Sequence, residues 1–191
     1  MCHSCIASFK PPDATIQDTA NLTAITALGE YSDVLQNAIQ ALKYEHNTAL
    51  AQPLGQLLAS QIQSLQWPPG IIMPVPLHSE RLRQRGYNQA ALLAQAMARQ
   101  LNWPYDDKLL NRVRATTSQV GLDFQARQHN VKQAFGVTTP MSVQTSNVIL
   151  VDDVYTTGAT IRECAAALVE AGNTTVRACV VGRAKFSKPD C

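Results

Sequence analysis

Leu35, Ala38, Ile39 and Leu42 recur at helical spacing within residues 31–47, and Leu54, Leu58, Ile62 and Leu65 do so just after Pro53. The same period returns in Ala90, Leu93, Ala94, Met97 and Leu101, and again in Ile161, Cys164, Ala165 and Leu168. Between these stretches the pattern changes to short unbroken apolar runs. Residues 71–75 read as a short apolar strand, residues 148–151 as a strand buried on both faces, residues 175–181 as a last strand, and residues 109–114 as a strand before a polar loop. Pro74 and Pro76 restrict the first of these to a sheet edge, a strand end or a special loop. Strands alternating with helices predict an α/β fold with a mainly parallel sheet flanked by helices.

The chain has 191 residues, 46% hydrophobic and 16% charged, which suits one soluble domain with a core of its own. No apolar run approaches the length of a membrane span, and no charged-then-apolar leader opens the sequence, so the expected location is the cytoplasm. A formal net charge of +2 tolerates phosphorylated ligands without announcing a nucleic-acid surface. Basic residues without interleaved aromatics make a weak case for single-strand binding.

The five cysteines, at positions 2, 5, 164, 179 and 191, do not form a disulfide framework. Cys164 and Cys179 fall on apolar positions and read as core residues. Cys2 and Cys5 have the Cys-x-x-Cys spacing of one half of a zinc ribbon, with no second pair to complete a Zn²⁺ site. Residues 1–21 are accordingly read as this partial ribbon and a Pro-containing linker, and residues 22–191 as the domain.

The chemistry concentrates in residues 147–160. After the strand at 148–151 come Asp152 and Asp153, read as leaving the strand, and then Thr156, Thr157, Gly158, Ala159 and Thr160, which open the helix carrying Ile161. Such a turn aims free backbone N–H groups, threonine hydroxyls and a helix dipole at one point, as a phosphate monoester requires. Two carboxylates beside an anion site would repel the ligand unless they accept from its hydroxyls or hold a metal ion. A sugar phosphate satisfies both conditions.

This stretch resembles the 5-phosphoribosyl-1-pyrophosphate (PRPP) motif of type I phosphoribosyltransferases. The resemblance implies that Asp152 and Asp153 hold the ribose and its Mg²⁺ as the catalytic pair, and that residues 156–160 hold the 5-phosphate. It further implies that Pro76 and Leu77, with Arg81 or Arg85, border the pyrophosphate, and that the polar loop at residues 115–123 is a flexible hood closing over the site.

Pro-Val-Pro-Leu at residues 74–77, followed by Arg-Gly-Tyr-Asn-Gln at residues 85–89, is similar to the competence protein F family, a branch of the same superfamily. Family-like spacing also appears at Lys43-Tyr44, at Arg112-Val113-Arg114 with Thr116, Thr117 and Gln119, and at Arg127, Asn130 and Phe135. On its own, Lys43 reads as a solvated helix residue, with a basic residue at that position also able to reach a phosphate, and His129 reads as a surface histidine. The family resemblance implies a glycosyltransferase fold working in DNA uptake and natural transformation, with PRPP or another ribose phosphate as ligand. Single-stranded DNA and competence machinery proteins are the implied partners. A module that senses PRPP or binds single-stranded DNA without catalysis is the alternative, and the acceptor is not legible.

Overall fold

The computed structural model describes residue 9 and residues 21–113, 134–138, 147–172 and 175–184. Its centre is a four-stranded sheet of β1 (Ala24–Glu30), β2 (Ile71–Pro74), β5 (Asn147–Tyr155) and β6 (Thr175–Arg183). The spatial order is β1-β6-β5-β2, and every pairing is parallel. A short antiparallel pair, β3 (Leu110–Arg112) with β4 (Phe135–Val137), stands apart from it.

One face of the sheet is covered by α1 (Asp33–Tyr44), α2 (Ala51–Ser64) and α4 (Gln89–Leu101). The other is covered by α5 (Ala159–Glu170) and the β3–β4 pair. A brief helix, α3 (Ser79–Arg85), lies between β2 and α4. The central strand reads onto both layers by period-2 alternation: Ile149 and Val151 join the core under α1, α2 and α4, whereas Val148 and Leu150 join the core under α5. This explains the unbroken apolar run, since both faces are dry.

The helical periodicities hold. Leu35, Ala38, Ile39 and Leu42 are buried, as are Leu54, Leu58 and Ile62, while Leu65 lies just past the end of α2 and is exposed. Pro53 stands in the first turn of α2, where its missing N–H costs no helix bond. The close approach of α2 to α4 depends on Gly55: a Cβ there would lie 2.5 Å from Ala96 Cβ and 2.7 Å from Leu93 O. Gly172, in the left-handed region at φ +102°, ends α5 as the pattern predicts. Cys164 and Cys179 are fully buried, and burial pushes both thiols up from their ordinary pKa.

Three strands depart from the sequence reading. β1 was not predicted; residues 24–30 are a strand because they pair along β6, from Ala24 with Arg177 to Glu30 with Arg183. Phe135–Val137 is likewise a strand by virtue of its partner β3. Most consequentially, β5 does not stop at Val151. It continues through both carboxylates to Tyr155, pairing Asp152 with Val180, Val154 with Gly182 and Tyr155 with Arg183.

Pro74 is the last residue of edge strand β2, where the proline pattern puts it. Cys2, Cys5, the loop at residues 115–123, Arg127, His129 and Asn130 lie outside the described residues. Among the described residues no helix is long and apolar enough to cross a membrane, and no three His, Cys, Asp or Glu side chains converge as a metal cluster.

Candidate functional site

The crossovers that leave β2 and β5 depart to opposite sides. From β2 the chain passes to α3 and α4 on one face, and from β5 it enters α5 on the other. Adjacent parallel strands whose connections diverge leave a crevice at their carboxyl ends, where ligands of open α/β sheets bind. Here that crevice is a cleft of about 750 Å³.

Every described residue to which the sequence reading gives a ligand role lines this one cleft. Asp152, Asp153 and residues 156–160 form one wall, and Pro76 and Leu77, with Arg81 and Arg85 of α3, form the facing one. The carboxylates reach it from the strand itself rather than from a loop, so alternation sends them to opposite faces of the sheet. Asp153 turns toward α1, where Lys43 Nζ lies 2.7 Å from its Oδ1. Asp152 shares its surroundings with Arg112 of β3 and Cys164 of α5, and its Oδ1 accepts the Asp153 backbone N–H at 2.8 Å. A ligand touching both acids therefore sits astride the strand end.

The phosphate-loop geometry follows from one glycine. Gly158 precedes α5 at φ +76°, left-handed backbone that other residues enter only under strain. A Cβ at this position would lie 2.3 Å from the Tyr155 hydroxyl. Thr157 is buried and its Oγ1 accepts the Ala159 N–H at 3.4 Å. Arg162 fixes the base of the loop, donating to Thr157 O at 3.0 Å and to Tyr155 Oη at 3.1 Å. The first-turn N–H groups of a helix have no intrahelical acceptor, and the residues that open α5, 159–161, line the cleft together with residues 156–158.

Arg85 and its successors lock the opposite wall. Asn88 donates to Val75 O at 3.0 Å and caps α4 by accepting the Ala90 N–H at 3.0 Å, which ties the loop after β2 to the next helix. The Tyr87 hydroxyl donates to Leu42 O at 2.5 Å, tying the same segment to α1. Thus Arg-Gly-Tyr-Asn-Gln acts here as a brace. Gly86, at φ +81°, closes α3.

The electrostatics are those of a mixed cluster. Burial first, and the Asp153 charge second, push Asp152 up to about 7, against the pull of Lys43, the Asp153 N–H and Arg112. For Lys43, burial pulls downward, but the charge and hydrogen bond of Asp153, with Asp152 adding, hold the ammonium above its usual value. Burial and the Arg81 charge lower Arg112. Asp153 Oδ2 is buried with no hydrogen-bond partner among the described residues. A hard oxygen donor left open in this way fits Mg²⁺, which takes one or two carboxylates together with ligand oxygens.

Sequence reasoning favoured a solvated Lys43 while allowing that a basic residue there reaches a phosphate; its side chain is four-fifths covered and ion-paired within the site. It also gave no site role to Arg112, Tyr31, Gln40, Tyr44 or His46, all of which line the cleft. The available signal was the pair Lys43-Tyr44 and the Arg112 stretch, noted there only for their spacing.

The phosphoribosyl transferase domain model matches residues 88–189. DNA utilization protein YhgH of Escherichia coli O157:H7 is 34% identical over 175 residues, covering 89% of this chain and 76% of that protein. Competence protein F of Haemophilus influenzae is 36% identical over 152 residues, covering 76% and 66%. Competence protein ComFC of Bacillus subtilis is 26% identical over 159 residues, covering 82% and 62%. Among solved structures, the glutamine PRPP amidotransferase of B. subtilis superposes with a TM-score of 0.43 at 21% identity, over 68% of this chain and 25% of that one. On the domain match and the YhgH and competence-protein likenesses, the chain belongs to the phosphoribosyl transferase domain family, in its competence protein F branch.

Proposed function

We propose that this cleft binds PRPP, or another ribose phosphate, with Mg²⁺, and that the chain serves DNA uptake as a competence-type factor. The observation that carries the ligand is the juxtaposition of two carboxylates at the end of β5 with the Gly158 turn and the α5 N-terminus in one cleft. A 5-phosphate would take the N–H groups and hydroxyls of residues 156–160. Ribose hydroxyls would donate to Asp152 and to the buried Oδ2 of Asp153, unpartnered among the described residues. The pyrophosphate would face Arg81 and Arg85 beyond Pro76 and Leu77, with Lys43 and Arg112 adding positive charge. The uptake role is supported by the competence and DNA utilization relatives.

Bound Mg²⁺ would neutralise charge on the pyrophosphate as it departs. The chain's own contribution is to orient the sugar and to stabilise the anion that leaves. In a transfer, the C1–oxygen bond to pyrophosphate breaks as a nucleophile bonds to C1, and fixed cations opposite the loop favour that separation of charge.

Calorimetric titration of PRPP with Mg²⁺ tests the reading, using wild type and an Asp152→Asn, Asp153→Asn double variant at salt high enough to suppress nonspecific anion binding. Saturable binding that the variant loses is the expected result. Folded wild-type protein that binds neither PRPP nor ribose 5-phosphate would remove the ribose-phosphate reading and leave single-stranded DNA as the ligand to examine.

A further inference from the structure

Asp153 belongs to the wall of the cleft, yet little of it faces water. Its side chain is almost wholly buried, Oδ2 has no hydrogen-bond partner among the described residues, and Lys43 Nζ stands against Oδ1. The lysine comes from the last turn of α1 and keeps a fifth of its side chain exposed. The backbone beneath it is fixed, because Leu42 is buried and its carbonyl accepts the Tyr87 hydroxyl. Beyond that backbone a lysine has a flexible four-carbon stem, so the ammonium is the movable part of what covers Asp153.

Charge decides what can take its place. One buried carboxylate holding both an ammonium and a lone divalent ion would bring two like charges close together where little water screens them. An anion in the same cleft relieves that repulsion by giving the ammonium somewhere to go. The ribose-phosphate reading counts the Lys43 charge toward the pyrophosphate, but in this structure Asp153 neutralises that charge. It serves a phosphate only by releasing the carboxylate.

We propose that Lys43 is a latch on Asp153 and the residue that determines how the cleft accepts a metal: a divalent ion reaches Asp153 only together with a phosphorylated ligand, to which the ammonium transfers. The step exchanges ion pairs, with Lys43 charged throughout. Asp153 loses the ammonium as it gains the ion, and the ammonium moves to a phosphate oxygen. In both arrangements α1 stays tied to the site, first through Asp153 and then through the ligand. The proposal rests on the ribose-phosphate reading for the anion that receives Lys43, while the refusal of a lone ion rests on the Lys43–Asp153 pair alone.

Equilibrium dialysis against Mn²⁺, an oxygen-seeking ion standing in for Mg²⁺, tests both halves by the ion retained per chain. The proteins are wild type, Lys43→Met, Lys43→Gln and Lys43→Met combined with Asp153→Asn, each with and without PRPP and each checked for folding by circular dichroism. Lys43→Gln removes the charge while keeping a donor toward Asp153, and carries the test where Lys43→Met does not fold. We expect wild type to hold the ion weakly alone and at least roughly tenfold more tightly with PRPP. The single lysine variants should hold the lone ion at least roughly tenfold more tightly than wild type, a gain that Asp153→Asn abolishes. Wild type that retains the lone ion as tightly as the lysine variants overturns the latch, as does a gain that survives Asp153→Asn. Lysine variants that gain the lone ion while PRPP alters retention in no protein would keep the refusal of a lone ion and remove the ribose-phosphate reading.

Discussion

Lys43 Nζ lies 2.7 Å from Asp153 Oδ1, joining the last turn of α1 to the carboxyl end of β5. The partners are unequally covered: the Asp153 side chain is 5% exposed and that of Lys43 20%. Removing the lysine therefore strands a buried carboxylate, whereas removing the acid leaves a lysine that can reach water. Lys43→Met should cost about 2–3 kcal/mol and Asp153→Asn clearly less, as read by urea unfolding at pH 7. Equal losses would show that the pair is not held as described. The folded Lys43 pKa lies above its ordinary 10.5. The pair's contribution is thus complete below about pH 10.5 and is lost as pH rises through the folded value.

Asp152 behaves in the opposite sense. Its carboxyl is pushed from an ordinary 3.8 up to about 7, chiefly by burial. Between those values the folded chain binds more protons than the unfolded one, so stability falls as pH rises from about 4 to 7 and then levels. Asp152→Asn should match wild type near pH 4 and exceed it at pH 8 by on the order of 2 kcal/mol. Thermal or urea unfolding at the two pH values would decide it.

A ligand whose hydroxyls or metal need the ionised acid should also expel the proton. PRPP with Mg²⁺ titrated at pH 6 into buffers of different ionisation enthalpy should show proton release in wild type. Asp152→Asn should release fewer protons per ligand bound, the remainder coming from the ligand's own phosphate groups, which titrate at about pH 6.

Gly158→Ala combines a left-handed backbone at φ +76° with a Cβ 2.3 Å from Tyr155 Oη. The loop must shift, and it is the segment proposed to hold the phosphate. We expect a loss of about 1–3 kcal/mol in stability, with ribose 5-phosphate affinity falling at least tenfold by calorimetry.

Gly55→Ala supplies the control. Its Cβ would meet Leu93 O and Ala96 Cβ between α2 and α4, and none of these three residues lines the cleft. Overpacking there should lower the melting temperature by the equivalent of about 1–3 kcal/mol, while ligand affinity of the folded protein stays at the wild-type value.

Most of the layers were legible because both faces of the sheet are dry and their helices amphipathic. The run at residues 148–151 announces a buried strand, and Leu93, Ala94 and Met97 announce the helix that covers it. Beyond Val151 the pattern ends while the strand does not. Two acids erase the apolar signal, and only the β6 ladder, through Val180, Gly182 and Arg183, keeps the backbone extended.

β1 escaped for a related reason, since Ala24, Ala27 and Gly29 are weak strand formers that take their conformation from the same neighbour. The candidate site was legible where it is contiguous, at residues 152–160. It was not legible where it depends on how α1 crosses the sheet. Periodicity tells which side of α1 is apolar, but Lys43 is covered because the end of a different strand presents it with an acid.

Because Asp152 and Asp153 face opposite sides of the sheet, a molecule gripped by both is a fastening between the two helical layers. Without it, α1 and α5 are free to loosen from β5 separately. With it, each can exchange its backbone hydrogens only when the other also lets go, and the two layers open as a single cooperative unit.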